Sequence, residues 1–156
     1  MFRVNVYIES NLKGFRKQVG WYGYVVEYTK MSGEVETRES FECLEATGNQ
    51  IMLKALTESL KILNKACDVT VYMDSEYVRN MVTQNRPQQW KRNNWMTAKN
   101  EPVANKEEWQ QLMEQLEKHR VDFAYTKGHA YSEWLQSEIK TRKEGKEKWE
   151  QQRLLQ

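Results

Sequence analysis

Apolar and polar side chains alternate over residues 2–9, with Phe2, Val4, Val6 and Ile8 on one face, and this period of two predicts a strand. Residues 19–28 (Val19-Gly20-Trp21-Tyr22-Gly23-Tyr24-Val25-Val26-Glu27-Tyr28) are rich in β-branched and aromatic types and predict a second strand. Met31-Ser32-Gly33-Glu34 reads as a turn, after which Val35 to Cys43 returns antiparallel to that strand. The period then changes to that of a helix. Ile51, Met52, Ala55, Leu56, Leu60 and Leu63 recur at helical spacing behind Thr47 and Asn49, which supply N-cap chemistry, and Asn64 and Lys65 close the helix. Val69-Thr70-Val71-Tyr72-Met73 is a short β-branched run suited to a buried strand, and Asp74 directly after it is placed to cap a short helix from Ser75 to about Thr83.

Residues 84–106 contain both prolines, Pro87 and Pro102, among many Asn and Gln, and carry no strong periodic signal. A further helix covers roughly 105–118, with Trp109, Leu112, Met113 and Leu116 on one face; Val121 to Thr126 is the last strand. The stretch from Ser132 is helical in propensity and heavily charged, and fraying is expected beyond about Gly145. The order βββαβα–α–βα describes a meander followed by right-handed crossovers. It therefore predicts one α/β domain over residues 1–156, with a five-stranded mixed sheet (three antiparallel strands, then two parallel) flanked by helices.

Composition narrows the picture further. Eighteen aromatic side chains among 156 residues exclude a disordered chain. No apolar run approaches the roughly 20 residues of a membrane helix, and the first residues lack the apolar block of a signal peptide. Cys43 and Cys67 are too few for a disulfide framework or a CxxC metal cluster and read as small buried apolar residues. A soluble cytoplasmic domain without membrane contact is the expectation.

Candidate chemistry begins at the strand ends, where ligands gather in sheets of this kind. Glu9 ends the first strand and Asp74 the fourth, and two acids at neighbouring strand mouths suit a divalent cation, which takes oxygen ligands from converging elements. Each acid also has a plainer reading: Asp74 as an N-cap and Glu9 as a strand terminator. His119, at the end of a predicted helix, suits the macrodipole as a cation and is assigned no function. His129, after a glycine in a turn, reads on its own as a capping or surface residue.

Four stretches taken together resemble the ribonuclease H type 1 family from about residue 2 to about residue 142. Tyr7-Ile8-Glu9-Ser10 resembles the family's first strand, which ends in Asp-Gly-Ser. Thr47-Gly48-Asn49-Gln50-Ile51-Met52-Leu53 resembles a helix start that normally carries a glutamate. Val71-Tyr72-Met73-Asp74-Ser75-Glu76-Tyr77-Val78 is similar to the strand followed by Asp-Ser-Gln-Tyr-Val, and Thr126-Lys127-Gly128-His129-Ala130 to the Lys-Gly-His turn. The resemblance implies hydrolysis of the RNA strand of an RNA/DNA hybrid by two Mg²⁺ or Mn²⁺ ions held about 4 Å apart by four carboxylates. Transferred residue by residue, the acids fall at Glu9, Met52, Asp74 and about Ser137, with His129 assisting proton transfer or product release.

This chain departs from that pattern at several of those positions. Glu9 is one methylene longer than aspartate and shifts an ion by about an ångström, a misplacement worth on the order of 100-fold. Met52 offers a soft thioether where the ions want oxygen. Its helical neighbours Asn49, Gly48, Ala55 and Leu56 supply no carboxylate. Near Ser137, Glu138 points about 100° around the helix and Glu133 lies one turn earlier; either is a substitute ligand.

The charge balance, 24 basic against 22 acidic residues, is only +2, but it is unevenly placed. From Arg79 to Lys106, six basic residues face Glu101 alone, which gives +5 there and −3 for the remainder. Trp90 and Trp95 frame Lys91-Arg92-Asn93-Asn94, an interleaving that suits a phosphate backbone. The stretch to Lys99 resembles the basic protrusion with which some bacterial members of the family hold the DNA strand. Asn49 and Gln50 match positions that read the hybrid's minor groove, and Thr47 resembles part of a phosphate pocket. Glu76 stands where glutamine is usual and weakens that groove. The mixed charges from Lys140 to Arg153 read as a solvated helix. The leading expectation is a protein that binds RNA/DNA hybrid or a related duplex, with metal-dependent hydrolysis weak or lost. An active ribonuclease H with a modified metal site, and a scaffold that docks a protein partner, are the alternatives.

Overall fold

A computed structural model describes residues 1–155. Strands β1 (Phe2–Ser10), β2 (Gln18–Thr29) and β3 (Val35–Ala46) form the predicted meander, followed by helix α1 (Gly48–Lys61) and strand β4 (Cys67–Tyr72). Helices α2 (Glu76–Thr83), α3 (Arg86–Arg92) and α4 (Lys106–Leu116) then lead to strand β5 (Arg120–Phe123) and helix α5 (Ser132–Leu154). The strands lie in the order β3-β2-β1-β4-β5. β1 pairs antiparallel with β2 and parallel with β4, and β4 pairs parallel with β5. The expected sheet is therefore present.

Its two faces are filled differently, as the period of two along β1 requires. Val4, Val6 and Ile8 point into the main core with Ile51, Leu53, Leu56 and Leu60 of α1, and with Trp109 and Leu112 of α4. Each fully buried aliphatic side chain there contributes about 1.5–3 kcal/mol. Tyr7 and Val25 point to the opposite face, where Leu135 of α5 covers them beside Phe41, Tyr72 and Tyr131. Burying both faces of β1 makes it the centre of the molecule.

Several boundaries differ from the sequence expectation for local reasons. Asp74 does not cap α2: the Ser75 hydroxyl accepts the Val78 amide at 3.2 Å instead, which leaves the Asp74 carboxylate exposed. α1 ends at Lys61 with Ile62 as its C-cap, short of Asn64 and Lys65. Residues 86–92 form a helix that starts on Arg86-Pro87, because a proline in the first turn removes an amide that has no intrahelical partner anyway. β5 stops at Phe123, three residues early. α5 runs through Gly145 to Leu154, and the i,i+4 pairs Glu138–Arg142 and Lys143–Glu147 support it. Cys67 is buried as expected, whereas Cys43 is only half-buried, with its sulfur 3.5 Å from Lys146 Nζ. No described helix is long and apolar enough to cross a membrane.

His119 is the clearest correction. It is buried rather than a surface cation, and its Nδ1 accepts the Cys67 amide at 3.1 Å, tying the end of the α4 segment to the start of β4. Burial, with the nearby Lys118 charge, lowers its pKa below the ordinary histidine value. The unfolded chain therefore takes up a proton that the folded chain resists, so His119 contributes stability above pH 6.5 that is lost as pH falls below that value. We expect urea unfolding of His119→Gln, compared with wild type, to show a smaller loss of stability between pH 7 and about pH 5. Parallel pH profiles for the two proteins would contradict the assignment.

Candidate functional site

The parallel pairing of β1 and β4 ends at Tyr7 and Tyr72, and both chains then run on into a cleft of about 290 Å³. Glu9, Met52, Asp74, Glu76 and Gln136 line it, with Asn49 from the first turn of α1. Glu9 and Asp74 thus meet at one mouth, as their strand positions predict. Glu9 is also held from above by α5. Its Oε2 lies 2.8 Å from His129 Nε2 and 3.3 Å from the Ser132 hydroxyl, and its Oε1 accepts from Gln136 Nε2 at 2.9 Å. Gln136 Nε2 also reaches the Ser10 carbonyl, at 3.0 Å.

His129 is not a surface residue. Its side chain is 2% exposed, with Nε2 also 3.2 Å from the Ile8 carbonyl. Nδ1 accepts the Tyr131 amide at 3.2 Å, so the ring proton sits on Nε2, which donates to Glu9. Burial alone would raise the Glu9 carboxyl, but the hydrogen bonds from His129, Gln136 and Ser132 and the electrostatic pull of the His129 ring outweigh it and hold the pKa below the ordinary carboxylate value. The result is a carboxylate oriented by three side chains of one turn and helix.

Gln136, one residue before Ser137, is the α5 residue that lines the cleft. One residue turns a helix by about 100°, and it is Gln136 that faces the cleft while Glu138 turns to Arg142 at 3.7 Å. Glu133 is exposed and, like Glu138 and Ser137, is not part of the cleft lining. Met52 lines the cleft and packs its other side against the main core. Among the described residues no three His, Cys, Asp or Glu side chains converge on a point that would hold an ion. Glu9, Asp74 and Glu76 line the cleft without converging, and a thioether and a primary amide beside them do not complete a site for a pair of hard cations. That Gln136 faces the cleft had no signal in the sequence beyond helix phase.

The expected binding residues divide into two groups. Thr47 and Gln50 close a capping box: Thr47 Oγ1 accepts the Gln50 amide at 3.2 Å and Gln50 Oε1 accepts the Thr47 amide at 3.0 Å. Gln50 Nε2 reaches Asn105 Oδ1 at 3.3 Å, so only Asn49 turns into the cleft. In the protrusion, Trp90 packs edge-on against the fully buried Trp109, with ring centroids 5.4 Å apart, and tilts against Trp95 at 6.4 Å. Both indoles are half-buried and pack on the core, which holds the protrusion to the body. Trp95 sits at φ 61°, an uncommon conformation for a bulky residue, directly after Asn94 at 54°. Lys91, Arg92 and Lys99 stay exposed, Lys91 in a surface pair with Glu117 at 3.2 Å. Such pairs contribute about 0–1 kcal/mol and yield readily to another anion.

A sheet of this order, carrying acids at the mouths of β1 and β4, defines the ribonuclease H class of fold. The family model for ribonuclease H matches residues 3–138, and the chain belongs to the ribonuclease H family. A Clostridium botulinum protein named ribonuclease H is 37% identical over 136 residues, covering 86% of this chain and 89% of its own. One from Hydrogenovibrio crunogenus is 38% identical over 130 residues, covering 83% and 86%. Among solved structures, a type 1 ribonuclease H with the type 2 active-site motif superposes with a TM-score of 0.74 at 21% identity, over 92% of this chain and 73% of that one.

Tyr77 joins these parts. Its hydroxyl accepts from Trp109 Nε1 at 2.8 Å and from Asn105 Nδ2 at 3.4 Å, tying α2 to α4 and to the residue that steadies Gln50. Tyr77→Phe strands the indole donor of a side chain with no solvent exposure. We expect a loss of about 1–3 kcal/mol in urea unfolding. A loss below about 0.5 kcal/mol would show that the hydroxyl does not secure the junction.

Proposed function

We propose that this chain binds RNA/DNA hybrid across the first turn of α1 and the α3–α4 protrusion, and that its cleft hydrolyses the RNA strand weakly or not at all. One observation carries the proposal. Glu9 is already satisfied by His129, Ser132 and Gln136, while Met52 stands where the family resemblance implies a carboxylate and the cleft lining next to Ser137, the other such position, is the amide of Gln136. Asp74 is then the exposed strand-end acid of the cleft lining. The binding side is supported by the exposed cations Lys91, Arg92 and Lys99 and by Asn49 in the cleft. Substrate is held by charge from the protrusion and positioned by the amide of Asn49.

Active hydrolysis remains the rival, favoured by curated relatives named ribonuclease H at 37% identity over most of the chain. A labelled hybrid incubated with Mg²⁺, and separately with Mn²⁺, decides between them. We expect hybrid binding that weakens steeply with salt, with the slope of log K against log salt falling by roughly one for Lys91→Ala and again for Arg92→Ala. Wild-type turnover should be at background, and Met52→Glu combined with Gln136→Asp should raise Mg²⁺-dependent cleavage on the order of 100-fold or more. Robust wild-type turnover abolished by Asp74→Asn would establish the active enzyme instead. Absence of hybrid affinity at low salt would leave the scaffold reading.

A further inference from the structure

The loop between β1 and β2 lies outside every role described so far. Residues 11–17 (Asn11-Leu12-Lys13-Gly14-Phe15-Arg16-Lys17) carry three cations and no acid. Its base is rigid. Asn11 and Trp21 exchange two hydrogen bonds, Trp21 N to Asn11 Oδ1 at 2.7 Å and Asn11 N to the Trp21 carbonyl at 3.1 Å. Leu12 is buried against Gly20, where a Cβ would meet its side chain at 2.1 Å. The tip is open: Gly14 turns the chain at φ +100°, and Lys13, Arg16 and Lys17 are exposed around a Phe15 ring that is 95% exposed.

This loop is fixed to the first turn of α1. The Gly48 amide donates to the Gly14 carbonyl at 3.1 Å, and a Cβ on Gly48 would meet Gly14 N at 3.0 Å, so a glycine permits the approach. The same turn touches the protrusion through Gln50 and Asn105, and Asn105 continues through Tyr77 to Trp109 and Trp90. A duplex lying over Asn49 is therefore bordered by two cationic elements, the +5 protrusion and this loop at +3, which leaves −6 on the rest of the chain. Lys13 also lines the Asp74 cleft.

We propose that the β1–β2 loop is a separate nucleic-acid grip, in which Lys13, Arg16 and Lys17 neutralise phosphates and Phe15 packs on a sugar or base of the same strand. Clustered cations supply the sequence-independent, salt-sensitive part of such binding, and an aromatic ring supplies a contact that salt does not screen. The assignment rests on the reading that the chain binds RNA/DNA hybrid, and its test separates the two. The experiment measures binding of a fluorescent RNA/DNA hybrid by anisotropy across a salt series, with far-ultraviolet dichroism confirming that each variant is folded. The triple variant Lys13→Ala/Arg16→Ala/Lys17→Ala should lower the slope of log K against log salt by about 2–3. Phe15→Ala should weaken binding roughly 5-fold or more and leave the slope unchanged. Wild-type affinity and slope in both variants, while Lys91→Ala/Arg92→Ala still weakens binding, would overturn the loop assignment alone. A wild-type protein without hybrid affinity would overturn the hybrid-binding reading, and this assignment with it.

Discussion

The parallel pairing of β1 with β4 is the constraint on which everything else rests. Register sets Tyr7 beside Tyr72, and the chain beyond each carries Glu9 and Asp74 into the same cleft. That pairing closes a long crossover, since α1 must pass between the two strands, and loop closure over such a span is offset only by burial of an apolar helix face. Ile51, Leu53, Leu56 and Leu60 supply it against Val4, Val6 and Ile8. A change that loosens this layer therefore moves the cleft, even where no cleft residue is touched.

Above that frame, α5 decides what the two acids experience. Leu135 and Ile139 bury one side of the helix, which fixes its rotation and so determines that Gln136 overlies Glu9. The network that follows is fully local: the Gly128–Ser132 turn supplies His129 and Ser132, and the first turns of α5 supply Gln136. A carboxylate accepting three such bonds stays ionised without a bound cation, because the donors replace the water it lost on burial. Asp74 sits across the same cleft without comparable cover and remains exposed. The two acids that look equivalent in the sequence thus occupy different environments.

What was legible in the chain followed from whether a feature depends on local period or on phase between elements. The five strands and α1, α4 and α5 announce themselves through alternation and helical spacing, because each must bury one face. Asp74 and Glu9 were legible because strand ends in such a sheet are where ligands gather. The short α3 was not, since its seven residues begin on Arg86-Pro87 and bury little besides that proline. His119 was misread for a related reason: nothing in its neighbours reveals that Cys67, 52 residues earlier, presents its amide there. Gln136 and Ser137 are neighbours in the chain, yet the turn of a helix puts the first in the cleft and the second outside it.

The charge distribution carries a similar lesson about averages. A duplex polyanion responds to the local potential within about a Debye length, roughly 8–10 Å at physiological salt, and hardly at all to charge on the far side of the molecule. On the edge strand β3, Glu36 and Glu39 pair with Tyr28 and Val25, toward the end of the hairpin away from the β1–β2 loop, whereas the cations of the protrusion and of that loop are joined through the first turn of α1. Acid on the remote edge offsets the total without cancelling the field at the groove, and it penalises binding in the wrong orientation. A nearly neutral chain can therefore present a duplex with a strongly basic track, and the side of the track nearer β1 is set by the same glycine contact that roots the loop on α1.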